Sequence, residues 1–151
     1  MLVVDDDVAI LDVIREMLTE TGYEVVTATD GGAALDHLQG SNPRPDLILV
    51  DLMMPGVDGW QFTSRVRADP EICDVPIVFM SAGGSALLAT APPGEGYLQK
   101  PIQTTQLLWI VHRTLTLSTM RGMTRKASGK IRTPDPSSGS SQGEPGSGET
   151  G

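Results

Sequence analysis

The sequence holds a single cysteine, Cys73. One thiol allows no internal disulfide and no thiolate metal cluster, and it fits a reducing compartment. Basic residues are also scarce: 11 Lys and Arg stand against 19 Asp and Glu, a formal net charge of -8. So acidic a chain offers no broad basic face, which argues against direct nucleic-acid binding. The same balance suits a cation if the carboxylates converge. Only two histidines occur, His37 and His112, and both read as helix-face residues rather than ligands. No apolar run approaches a membrane span, and no basic segment leads into one at the N-terminus. Together these absences read as a soluble, cytoplasmic protein with no membrane partner.

What is present is enough for one ordinary domain: 151 residues, 39% hydrophobic. Composition changes near Ser118. Before it, apolar segments recur at intervals. After it comes RGMTRKASGKIRTPDPSSGSSQGEPGSGETG, rich in Gly, Ser and Pro, which cannot bury enough surface to offset its ordering entropy. The reading is a folded domain over 1–118 and a disordered tail over 119–151. The basic half of that tail (Arg121, Arg125, Lys126, Lys130, Arg132) reads as solvated charge.

Within the folded part, strand and helix alternate. LVVD, YEVVTA, LILV, PIVFM and GYLQ read as strands. Between them VAILDVIREMLTE puts Leu11, Ile14 and Leu18 on one helical face, and Gly22 closes that helix. GGAALDHLQG and WQFTSRVRA read as further helices. TTQLLWIVHRTL is the last, with Leu107, Leu108, Val111 and Leu115 on one face and Trp109 opposite them. Strands apolar throughout and separated by helices imply a parallel sheet covered on both faces. One link is weak: SAGGSALLATAPPGEG has an apolar centre barely a turn long, ended by Pro92-Pro93. The fourth helix should be short or poorly formed.

In such sheets ligands bind beyond the carboxyl ends of the strands. There the sequence puts Asp5, Asp6 and Asp7 after the first strand, Asp51 after the third, Ser81 after the fourth and Lys100 after the fifth. Each has an ordinary explanation alone. Helix capping accounts for one or two of the first three acids; Ser81 can be a turn residue and Lys100 a solvated cation. Their joint placement at four strand ends argues for a site. Converging carboxylates would repel, and a hard cation such as Mg²⁺ would relieve them. Lys100 would add a positive point charge suited to a phosphoryl oxygen.

The ordered motifs VVDDD, LILVDLMMPGVDGW, FMSA and YLQKP resemble the receiver domain of bacterial two-component response regulators, over about Met1 to Leu117. The resemblance implies a flavodoxin-like α/β fold, a five-stranded parallel sheet of order 2-1-3-4-5 with helices on both faces. It implies that Asp51 is the phosphoacceptor, charged by a sensor histidine kinase or a histidine phosphotransfer protein. Asp5 and Asp6 would hold Mg²⁺ with Asp51 and the Met53 backbone carbonyl. Lys100 would contact the phosphoryl oxygens, and its bond to Pro101 would be cis. Ser81 and Tyr97 would form the switch that alters a surface for a downstream protein or a second copy. Such a protein is no enzyme beyond its own phosphoryl transfer and dephosphorylation.

The sequence departs from the family between Ser81 and Tyr97, where the segment is short. That departure motivates an alternative, a degenerate receiver acting as a non-switching protein-binding module. A phosphohydrolase of the haloacid-dehalogenase kind would need a second carboxylate two residues after its nucleophile, where this chain has Met53. The chain fits either a stand-alone receiver or a piece of a longer protein. Trp60 reads as partly buried packing and Trp109 as an exposed partner contact.

Overall fold

The computed structural model describes residues 1–40 and 42–128. Five strands and five helices alternate: β1 (Leu2–Val4), α1 (Val8–Glu20), β2 (Val26–Ala28), α2 (Gly31–Gln39), β3 (Ile48–Asp51), α3 (Gly59–Ala68), β4 (Ile77–Ser81), α4 (Gly84–Leu88), β5 (Gly96–Gln99) and α5 (Thr104–Ser128). The strands form one parallel sheet in the order β2-β1-β3-β4-β5, the flavodoxin-like order expected.

Alternation along each strand divides the core into two layers. Leu2, Val4, Ile48, Val50, Ile77 and Phe79 face one side, where Leu35 of α2 and Phe62 and Val66 of α3 cover them. Val3, Leu49, Val78 and Met80 face the other, against Leu11, Ile14 and Leu18 of α1 and Leu107, Ile110 and Val111 of α5. Both faces are dry, so the inner strands can be apolar at every position.

Local chemistry sets the helix ends. The Asp7 carboxylate caps α1 by accepting from the Ala9 and Ile10 N–H groups. At the other end Gly22, at φ 92°, lets its own N–H reach the Thr19 carbonyl and that of Tyr23 reach Leu18, a Schellman closure. Asp58 and Gln61 form a capping box at the start of α3.

Two expectations shift and one holds. The strand read as YEVVTA shrinks to Val26–Ala28, because the short β1 offers partners only for Val26, Thr27 and Ala28. The fourth helix is short as expected, five residues with no side-chain cap. The boundary after Ser118 falls inside α5, which runs on to Ser128. The chain from Thr104 to Ser128 holds no proline, so none interrupts a helix already nucleated by its packed turns. The Thr116, Thr119 and Thr124 hydroxyls each donate to the carbonyl one turn back. The rest of the expected tail lies outside the described residues.

Candidate functional site at the carboxyl edge of the sheet

The carboxyl ends of β1, β3 and β5 bring three acids and a lysine together. Asp5 directly follows β1 and is fully buried. One of its oxygens, Oδ1, accepts the Asp7 N–H at 2.9 Å. The other, Oδ2, lies 2.6 Å from Lys100 Nζ as an ion pair but makes no hydrogen bond of proper geometry. Asp51 ends β3 and is only 4% exposed. Its Oδ1 accepts the Met53 N–H at 3.2 Å and its Oδ2 accepts from Lys100 Nζ at 3.0 Å. Asp6 is exposed. Asp5, Asp6 and Asp51 each present one oxygen within 4.8 Å of the others.

The electrostatics follow from this crowding. Burial raises the Asp51 carboxyl above its ordinary range; the Lys100 hydrogen bond opposes that, and the charge of Asp5 adds to it. Burial works against the Lys100 charge too, yet its pairing with Asp5 and Asp51 outweighs the cost and raises its pKa. One ammonium thus serves two buried carboxylates, with a third acid beside them. Asp5 Oδ2 is a buried acceptor with unused capacity. An all-oxygen donor set of this kind can take a hard cation.

The surrounding backbone holds the site. The Gly59 N–H bonds to the Leu52 carbonyl at 3.1 Å. A Cβ at Gly59 would stand 2.7 Å from the Asp51 carbonyl oxygen and 2.7 Å from Leu52 Cα. The start of α3 therefore rests directly on the strand end that carries Asp51. The Lys100 N–H bonds to the Ser81 carbonyl at 2.8 Å, which ties β5 to β4 beside the site. The Lys100-Pro101 bond is cis.

The remaining expected residues make contacts of their own. The buried Ser81 accepts the Gly83 N–H on its hydroxyl at 3.0 Å. Tyr97 is 40% exposed, stacks on Phe79 with ring centroids 5.7 Å apart and donates to the Pro92 carbonyl at 3.0 Å. The Met53 side chain points to solvent, 61% exposed. Of the three N-terminal acids, Asp7 is the cap, as capping alone would explain, while Asp5 and Asp6 are left for the pocket. Trp60 is partly buried against the core, as expected, and its indole donates to the Thr90 carbonyl at 3.0 Å. Trp109 is exposed, with the Arg113 guanidinium 5.3 Å from its ring centre. The Trp60 and Tyr97 bonds left no sequence signal, because their acceptors are backbone carbonyls that any residue supplies.

Among the described residues no helix is long and apolar enough to cross a membrane. The model of the response regulator receiver domain family matches residues 1–112. The chain is 39% identical over 110 residues to the transcriptional regulatory protein YrkP of Bacillus subtilis, covering 71% of this chain and 45% of that one. It is 38% identical over 111 residues to the response regulator MprA of a Mycobacterium strain, covering 72% and 46%. It thus spans less than half the length of these curated relatives. Among solved structures, the chemotaxis response regulator CheY4 of Vibrio cholerae superposes with a TM-score of 0.68 at 33% identity, covering 75% of this chain and 95% of that one. The receiver domain of NtrX from Brucella abortus gives 0.66 at 28%, covering 76% and 97%. Sheet order, acidic pocket and these likenesses agree, and the chain belongs to the response regulator receiver domain family.

Proposed function

We propose that this chain accepts a phosphoryl group on Asp51 from the phosphohistidine of a sensor histidine kinase or a histidine phosphotransfer protein. The observation that carries this is the buried Asp51 carboxylate, held between Lys100 and two further acids at the mouth of the sheet. A carboxylate oxygen of Asp51 attacks phosphorus as the P–N bond to histidine breaks. The histidine nitrogen keeps the bonding pair, and an acyl phosphate forms. Lys100 is placed to stabilise the charge that gathers on the phosphoryl oxygens.

The donor chemistry of Asp5, Asp6 and Asp51 fits Mg²⁺, which accepts few carboxylates and keeps positions for water or phosphate oxygens. When bound, Mg²⁺ offsets the charge of the nucleophile and of the incoming phosphate. Met53 would contribute only its backbone carbonyl, consistent with a side chain turned to solvent. Ser81 would bond the new phosphoryl group and, with Tyr97, bias the two-state element that reads it for a downstream protein or a second copy.

We assign residues 1–118 the role of a cytoplasmic receiver, with no nucleic-acid contact of their own. RpaA of Synechocystis, 35% identical, is named a DNA-binding regulator, but this chain spans 45% of it. The non-switching alternative finds less support, because the acidic, hydroxyl and lysine positions are all present. The test is incubation with a small-molecule phosphodonor, with and without Mg²⁺, followed by size-exclusion chromatography. Metal-dependent labelling that Asp51→Asn abolishes is the expected result. If no donor or kinase labels Asp51, the assignment fails.

A further inference from the structure

The shortened α4 is followed by residues 89–94, a strap that carries Pro92-Pro93 and lies outside any strand or helix. Two aromatic donors hold it, each from a different element. The Trp60 indole N–H, from the first turn of α3, donates to the Thr90 carbonyl at 3.0 Å. The Tyr97 hydroxyl, from β5, donates to the Pro92 carbonyl at 3.0 Å. Leu87 and Ala91 pack with Trp60 on the same side of the core. Gly94 is set so close to Phe79 that an added Cβ would lie 2.5 Å from its ring.

The Trp60 bond is the unusual one, because its other end is fixed to the site. Trp60 directly follows Gly59, which has no free space against Asp51 and Leu52. A shift of the Asp51–Leu52 backbone must therefore displace the start of α3, and with it the indole. Packed backbone of this kind moves in discrete steps rather than by stretching. The strap, in contrast, is tied to α4 at its start, where Ala89 bonds back to Ser85 and Thr90 to Leu87, and it pairs with no strand; Thr90 and Pro93 are exposed, so it can respond at low cost.

We propose that the strap of residues 89–94 reports the state of the Asp51 loop in place of the shortened α4, with Trp60 as the positioning residue that links the two. Two routes then converge on one surface segment. One runs from Asp51 through Gly59 and Trp60 to Thr90. The other runs from Ser81 and β4 through Phe79 and Tyr97 to Pro92. This inference rests on the phosphoacceptor reading.

The test is amide NMR on the full chain with Mg²⁺ and beryllofluoride, in wild type and in Trp60→Phe, which keeps a ring but removes the donor. The Met53 amide, bonded to Asp51, reports engagement of the site itself. The expected result is that the probe moves Met53 in both proteins. It moves Thr90 and Ala91 in wild type, and moves them less than half as far in Trp60→Phe. A purely structural Trp60 would alter the strap equally in both states and leave that difference unchanged. Should Trp60→Phe fold poorly, the indole N–H resonance of Trp60 in the wild-type chain gives the same reading, because the probe must shift it. If Met53 moves while the strap amides and the indole stay still, or if Trp60→Phe leaves the strap response intact, the proposal is overturned. If Met53 does not move, the phosphoacceptor reading fails first and takes this one with it.

Discussion

At the residue scale, the resting site is held against its own charge. The buried Asp51 carboxyl is raised above its ordinary value of 3.8, so the folded chain keeps that proton to higher pH than the unfolded chain does. Stability is lost as pH rises from 3.8 through the raised value, and at neutral pH the ionised Asp51 destabilises the metal-free fold. Asp51→Asn should therefore be more stable than wild type at pH 7 without divalent cation. The gain should disappear below pH 3.8, where Asp51 is neutral in both states. Urea unfolding across pH checks this, and a gain independent of pH would contradict it. Lys100 makes the complementary case. It is the ammonium paired to both Asp5 and Asp51, so Lys100→Met leaves buried acids uncompensated and should cost roughly 3 kcal/mol. Millimolar Mg²⁺ should restore much of that loss, because a cation that binds the fold alone stabilises it by mass action. Thermal melts with and without Mg²⁺ measure both, and a loss that Mg²⁺ leaves untouched would argue against a cation at this pocket. The identities of these residues were legible in the sequence. Which of Asp5, Asp6 and Asp7 serves as the cap was not, since three adjacent acids before a helix carry the same local signal.

At the element scale, the start of α3 separates an ordinary helix end from one built into the site. Asp58 supplies a capping box, and Asp58→Ala should cost about 1 kcal/mol while the carboxylates stay in place. One residue on, a methyl at Gly59 would press on the backbone of Asp51 and Leu52. Backbone cannot step aside as a flexible side chain does, so Gly59→Ala should cost roughly 2–3 kcal/mol. It should also slow phosphoryl transfer, by displacing Asp51. Denaturant titration paired with labelling rates distinguishes the two variants. Equal losses with equal rates would refute the contact argument. Sequence patterning located these elements well where a helix has a strong apolar face, as in α1. It was weaker for β2 and for the end of α5. A strand's length depends on its partner, here the three-residue β1, and a helix can run past its packed face until something breaks it.

At the scale of the whole molecule, the two-layer core follows directly from alternation, because adjacent strand residues must face opposite layers. The order of strands does not follow from local sequence, and only the resemblance of the separated motifs supplied it. The extent of the folding unit is the remaining question at this scale. The buried face of α5 runs from Leu107 through Ile110 and Val111 to Thr114. Beyond it, Leu117, Met120 and Met123 are exposed. The one ion pair there among the described residues joins Arg121 to Glu95 at 3.9 Å, with the Arg121 side chain 71% exposed. An ion pair so exposed contributes little, and Glu95 keeps its bond from the Ile77 N–H and its pairing with Arg67. We therefore expect residues 1–118 to form a cooperative unit without the segment that follows. A chain ended at Ser118 should unfold in a single transition, within about 1 kcal/mol of the full chain, and should label at Asp51 at the same rate. A much larger loss would mean that the later turns of α5, or the residues after them, complete the core, and the folding unit would then extend beyond the limit that composition suggests.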